Sequence, residues 1–130
     1  MIGFKAFKPD MTCLGFQYTV GGTFTIPVNE TIKICQNGFH FCRVPKHVFK
    51  FYKEETGPHV YGIVRAEGQI AHRDTKSVCS KITILKLIPV DKFKNMIVKT
   101  KDDGSLHIIY SNGHEEFYQD GKKIDIPFLL

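Results

Sequence analysis

Three dipeptides, Asp103-Gly104, Asn112-Gly113 and Asp120-Gly121, punctuate the last third of the chain at nearly even spacing. Each is a pair that accepts the positive φ of a tight hairpin turn. The segments they separate, 96–100, 106–110, 115–119 and 122–126, have the length of single strands. Short strands divided by such turns describe an antiparallel meander. The turns also form a weak repeat of one strand per unit: Asp-Gly-Ser-Leu-His, Asn-Gly-His-Glu-Glu and Asp-Gly-Lys-Lys-Ile.

Upstream of the meander the texture is different. Residues 2–7 read as a first strand closed by Pro9-Asp10. Phe16, Tyr18 and Val20 alternate with polar neighbours, Gly21-Gly22 follows, and Phe24, Ile26 and Val28 resume the alternation. That pattern predicts a β-hairpin over 13–28. Residues 31–35 read as a short strand, and Asn37-Gly38 turns the chain into Phe39-His40-Phe41-Cys42. Pro45 suits the first turn of a helix, where its missing N–H costs nothing. Val48, Phe49, Phe51 and Tyr52 then lie at helical spacing, with Lys46, Lys50 and Lys53 off that face. The spacing predicts a helix over 45–53, stopped by Gly57-Pro58.

Two strands follow. In 59–66, Val60, Gly62, Val64 and Ala66 share one face, and Tyr61, Ile63, Arg65 and Glu67 the other. In 78–88, Ile82, Ile84 and Ile88 oppose Leu85 and Leu87, which suggests a central strand covered on both sides. The expected architecture is an α+β fold, mainly antiparallel sheet, with one helix near 45–53 and a C-terminal β-meander. A chain of 130 residues fits a single domain, with an α+β core over 1–90 and the meander over 91–130.

Hydrophobic content of 42% with 24% charged residues is enough for a packed core and excludes disorder. The net charge of +5 favours anionic partners, a small molecule or a nucleic acid. No block of like charges forms a basic arm, so DNA is the less favoured partner. No stretch resembles a signal peptide or a membrane span. A cytoplasmic location with reduced thiols is expected, and no membrane partner.

The densest chemistry lies in 35–45, which holds Cys35, His40 and Cys42. Thiolates and imidazole are zinc ligands. These three, with Cys13, His47 or Cys79 as a fourth, form one candidate zinc site. The spacing is not the paired Cys-x-x-Cys of strong zinc motifs, and buried thiols are the simpler alternative. Cys42 or Cys35 with His40 as base forms a candidate nucleophile, although neighbouring strand positions turn Cys42 away from Arg43. The third candidate is an anion site. Arg43, Lys46, Arg65, Arg73, Lys76 and Lys81 cluster in sequence around the region, and Phe39 and Tyr61 could stack a base. The ligand-binding set is therefore Phe39, His40, Arg43, Tyr61, Arg65 and Glu67. Arg65 and Glu67 are equally readable as a same-face ion pair.

Lys5-Ala6-Phe7, Thr12 through Tyr18 with Gly21, Cys35-x-Asn37-Gly38-Phe39-His40-Phe41-Cys42 with Pro45, Val60-Tyr61 through Gly68, and Lys81-Ile82-Thr83-Ile84 together resemble an uncharacterised domain family. That family occurs in bacteriophage and bacterial proteins, and its Gly-Phe-His-Phe-Cys core is the most specific part. The resemblance covers about residues 4–88. It implies a host protein as a further partner class, and the host cytoplasm as location if the chain is phage-encoded. The tail resembles the hairpin repeats that sometimes accompany the domain. Gly38-Phe39-His40-Phe41 ahead of a helix is also similar to the ADP-ribosyltransferase-like fold, which implies NAD as cofactor and a late glutamate that orients the ribose. Glu115 and Glu116 are the late glutamates, and they fall in the hairpin repeat.

Overall fold

The computed structural model describes residues 1–27, 29–33 and 37–124. In chain order the elements are β1 (Ile2–Phe7), β2 (Thr12–Cys13), β3 (Phe16–Gln17), β4 (Thr23–Thr25), β5 (Phe39–Phe41), α1 (Pro45–Phe51), a 3-10 turn (Glu54–Thr56), β6 (Val60–Arg73), β7 (Lys76–Ile88), α2 (Val90–Asn95), β8 (Ile97–Thr100), β9 (Leu106–Ile109), β10 (Glu115–Gln119) and β11 (Lys122–Ile124). The fold is strand-rich and antiparallel, as the alternation predicts. Parts of the expected strands 13–28, 31–35 and 122–126 lie outside the described residues, as does Cys35.

The framework is the long hairpin β6–β7. Its first half is flanked by β1 on the β6 side, and β7 carries both β4 and β5 on its other edge. β7 is thus the central strand. The segment after β5 also reaches β1: Phe4 and Cys42 exchange backbone hydrogen bonds of 2.8 Å in both directions. The sheet curls back on itself through that bridge.

Each face of this sheet is covered. On one, Ile2, Phe4 and Ala6 of β1 and Tyr61 and Ile63 of β6 pack against Val48 of α1, Phe93 of α2 and Ile108, Tyr110 and Tyr118 of the meander. On the other, Phe7, Phe39, Phe41, Val64, Ala66, Cys79, Ile82 and Ile84 pack with Cys13 and Tyr18 from the β2–β3 region. Full burial of one such large apolar side chain is worth about 1.5–3 kcal/mol, so the two clusters dominate stability.

Four details differ from the sequence expectation. Gly21-Gly22 does not close a hairpin over 13–28: the tight turn is Leu14-Gly15, both at positive φ, and β4 pairs with β7. Gly21 and Gly22 instead hydrogen-bond to Ile84, because a distant strand supplies a longer ladder than the local one. Second, strands 59–66 and 78–88 run on to meet at a turn around Asp74, whose φ is positive. Third, a short second helix, α2, follows Pro89, and its Phe93 fills the core between Phe4 and Tyr61. Fourth, a β-bulge at Ile63/Val64 pairs Ile63 with Lys86 and Val64 with Ile84. The extra residue, Leu85, reverses the alternation of β7. Ile88 therefore joins the Leu85 cluster rather than that of Ile82 and Ile84.

The same reversal brings Lys86 to Glu116 of the meander. Glu116 is 1% exposed. It accepts hydrogen bonds from the Tyr110 hydroxyl at 2.6 Å and the Tyr118 hydroxyl at 3.2 Å, and Lys123 approaches to 3.4 Å. Burial acts to raise its pKa, but the Lys86 and Tyr110 hydrogen bonds and the two ammonium charges outweigh it and hold the carboxyl at about 2. Glu116→Ala removes a buried charge and strands two hydroxyls. It should cost about 3 kcal/mol in urea denaturation, whereas Glu115→Ala, at an exposed position, should stay within about 0.5 kcal/mol.

Candidate functional site

Lys5 is the unexpected residue. On β1, Ile2, Phe4 and Ala6 fill one cluster, so Gly3, Lys5 and Phe7 point to the other face. That face is roofed by the β2–β3 turn region, and Lys5 is only 5% exposed. Its Nζ donates to the His40 carbonyl at 2.5 Å and lies 5.3 Å from the Tyr18 ring centre and 5.9 Å from that of Phe7. Among the described residues no carboxylate pairs with it. The thiols of Cys13, Cys79 and Cys42 are close enough to act on its charge. Burial nevertheless prevails and lowers the Lys5 pKa below the ordinary 10.5.

Lys5 lines two neighbouring cavities. The first, about 160 Å³, is walled by Phe41, Val48, Phe51 and Tyr52 and reached by Lys76. The second, about 360 Å³, is walled by Cys13, Phe16, Tyr18 and Phe39. Lys5, Leu14 and His40 belong to both. Leu14, at the β2–β3 turn and 82% exposed, stands between the cavities and solvent. Gly38, at φ +108, is what lets β5 start here: a Cβ would lie 2.6 Å from Val78 Cγ2. The smaller cavity matches the ~150 Å³ that accommodates a benzene-sized molecule.

His40 is half-buried. Burial first, and then the charges of Lys5 and Lys76, lower its pKa to about 4, so its ring is neutral at pH 7. Burial likewise pushes Cys42 and Cys79 up to about 11, and Lys5 offsets this only in part. Both are thiols at neutral pH. The Cys13 Sγ sits 3.1 Å from the Tyr52 hydroxyl.

The residues singled out from sequence are dispersed. Phe39 joins His40 at the larger cavity, buried edge-on against Phe16 at 5.4 Å. Tyr61 is in the opposite cluster, stacked on Phe93 at 5.0 Å, with its hydroxyl on the Tyr52 carbonyl at 3.2 Å. Arg65 pairs with Glu67 at 3.3 Å and reaches the Gly121 carbonyl at 3.5 Å. Arg43 is exposed, points at the Asp74 carbonyl at 3.4 Å, and lines a separate cavity of about 560 Å³ with His47, Asp74 and Tyr118. Of the cations noted in sequence, Lys76 alone lines the His40 cavities. Among the described residues no group of three His, Cys, Asp or Glu side chains is placed to hold a metal. Glu116 is held by the meander network, Glu115 pairs with His107 at 2.7 Å, and neither lines a cavity with His40.

With this geometry in hand, residues 1–96 match the profile of DUF7666, a domain of unknown function. The chain belongs to the DUF7666 family. No curated protein and no solved structure matches it. The DUF7666 segment contains both His40 cavities and ends one residue before β8, so β8–β11 lie beyond the matched domain. No helix among the described residues is long and apolar enough to cross a membrane.

The depressed His40 pKa sets a pH window. Unfolding returns the ring to about 6.5, so the unfolded chain binds more protons between pH 6.5 and 4. Stability is full above 6.5 and falls as the pH drops to 4. Because the ring is half-exposed, the loss should be only about 1–2 kcal/mol. Chemical denaturation of His40→Gln should show that segment of the pH profile flattened. A second, lower acid limb should persist from Glu116, lost between pH 4.5 and 2.

Proposed function

We propose that this DUF7666 chain is a binding module for a small anionic ligand, taken up in the crevice around Gly38–Cys42. The observation that carries the reading is Lys5. Burying an ammonium with no carboxylate partner costs stability, and here it is buried facing two cavities that it shares with His40. A ligand carboxylate or phosphate supplies the missing charge. The aromatic walls, Phe41, Phe51 and Tyr52 in one cavity and Phe16, Tyr18 and Phe39 in the other, suit a flat ring or a compact apolar body beside it. Lys76, whose ammonium lies 4.5 Å from the Phe51 ring centre, supplies a second cation.

The reading narrows the sequence-level set to Phe39 and His40 and adds Lys5 and Lys76. Arg43, Tyr61, Arg65 and Glu67 have other structural employment. A nucleotide whose base enters the crevice is one such ligand. The resemblance to phage and bacterial domains supports a cytoplasmic location, the host cytoplasm if the chain is phage-encoded. A transferase using NAD is the weaker alternative, because neither late glutamate reaches the crevice.

A thermal-shift screen over nucleotides, NAD and small carboxylates should raise the melting temperature for at least one. A ligand at a hundred times its Kd adds about 2.7 kcal/mol to a native state it binds selectively. Lys5→Met should raise the ligand-free stability by about 1–2 kcal/mol, as replacing a buried ionic group by an apolar one commonly does, and should abolish the shift. No shift with any anion at millimolar concentration, or a Lys5→Met variant that loses stability yet still responds, would overturn the reading.

A further inference from the structure

A lysine buried beside a cavity is more than a counter-ion: desolvation eases the loss of its proton, and the amine in equilibrium with the ammonium is a nucleophile. We propose that Lys5 is a carbonyl-reactive amine that captures a small oxo acid as an imine, with Lys76 and His40 receiving the carboxylate. The inference rests on the reading of the crevice as an anion site, and it names both the ligand class and the bond formed.

The geometry favours the amine over the other nucleophiles in the crevice. Lys5 Nζ has a backbone carbonyl to accept its proton-bearing side, at 2.5 Å, and aromatic faces from Tyr18 and Phe7 around it. Among the described residues no carboxylate holds it as ammonium. The flanking thiols of Cys42 and Cys79 are protonated at neutral pH. The cavity's volume of about 160 Å³ admits a compact acid but not a long chain. Beside Lys5 its polar groups are the Lys76 ammonium, the neutral His40 imidazole, the Cys42 thiol and the Tyr52 hydroxyl, each able to donate to a carboxylate. Phe41, Val48, Phe51 and Tyr52 give the bond an apolar wall on one side.

In the reaction the neutral Nζ attacks the carbonyl carbon, forming the C–N bond while the C=O π pair moves to oxygen. The nitrogen gives up a proton and the oxygen takes one, giving a carbinolamine. Its nitrogen lone pair then forms C=N as the C–O bond breaks, hydroxide leaving as water with a further proton. One water is released, the last N–H proton having gone with it. No oxidant or reductant is consumed.

The test uses glyoxylate with cyanoborohydride, which reduces an imine to a stable secondary amine. The full-length protein is then digested and Lys5 resolved from Met1 and the exposed lysines by fragment-ion mass spectrometry. At pH 7 Lys5 should carry one reduced adduct in about tenfold excess over any exposed lysine. An ordinary lysine gains about tenfold in free amine per pH unit below its pKa. Lys5 faces Cys13, Cys42, Cys79, Tyr18, Tyr52, His40 and Lys76, and Glu30 lines the larger cavity with it, but among the described residues no ion pair with a carboxylate holds it as ammonium. Its yield should therefore rise less steeply between pH 7 and 9 than that of the surface lysines. Lys5→Arg, which keeps the charge but forms no imine, should lose that adduct alone. Labelling confined to Met1 and exposed lysines overturns the proposal. Where glyoxylate raises the melting temperature of wild type and Lys5 remains unlabelled, the imine fails and the anion-binding reading stands; where neither occurs, both fail.

Discussion

The structure depends on the pairing of β6 with β7. Those two strands carry every other layer: β1 on one edge, β4 and β5 on the other, helices and meander on one face, and the β2–β3 turn region on the opposite face. A sheet covered on both sides cannot send its polar residues to solvent by simple alternation. The bulge at Ile63/Val64 deals with that constraint by turning Lys86 toward Glu116. On the other face the buried polar residue is Lys5, which makes no ion pair with a carboxylate among the described residues. The half-exposed Lys86 is neutralised by a buried acid of the chain, and the anion proposed for the crevice would do the same for Lys5.

Much of the architecture was legible in the residues. The meander followed from three Asp-Gly and Asn-Gly pairs, and the structure shows why: Gly104, Gly113 and Gly121 all have positive φ. Asp103 and Asn112 also cap their own turns, accepting from the Ser105 and His114 amides at 2.9 and 3.0 Å. The helix after Pro45 followed equally from local signals. What local signals could not convey was pairing at a distance. Gly21-Gly22 carries the chemistry of a hairpin turn, yet β7 outcompetes the local partner. Leu85 gives no sign in the sequence that it is the extra residue of a bulge.

The site was legible only at its centre. His40 and Phe39 stood out because an Asn-Gly turn precedes them and a Pro-started helix follows. Lys5 was hidden by its own pattern: Ile2, Phe4 and Ala6 make a clean apolar face, so the alternate positions read as solvent-exposed. Nothing local says that the short β2–β3 segment folds over them. Gly3 was the available hint, since a residue without a side chain beside Lys5 marks a close approach, here by the Phe41 ring. The cations that clustered in sequence separate in space because Arg65 and Lys81 sit near the middle of the Val60–Ile88 hairpin while Arg73 and Lys76 sit at its turn.

The seam at residue 96 has a consequence for the family. The DUF7666 match ends there, yet Ile108, Tyr110 and Tyr118 from beyond it share a core with Phe4, Tyr61 and Phe93. A relative built from the matched domain alone would leave that apolar face bare, with Lys86 bereft of its acid. The meander and the crevice lie on opposite faces of one sheet, so a change of cover at β8–β11 would leave the walls of the crevice untouched.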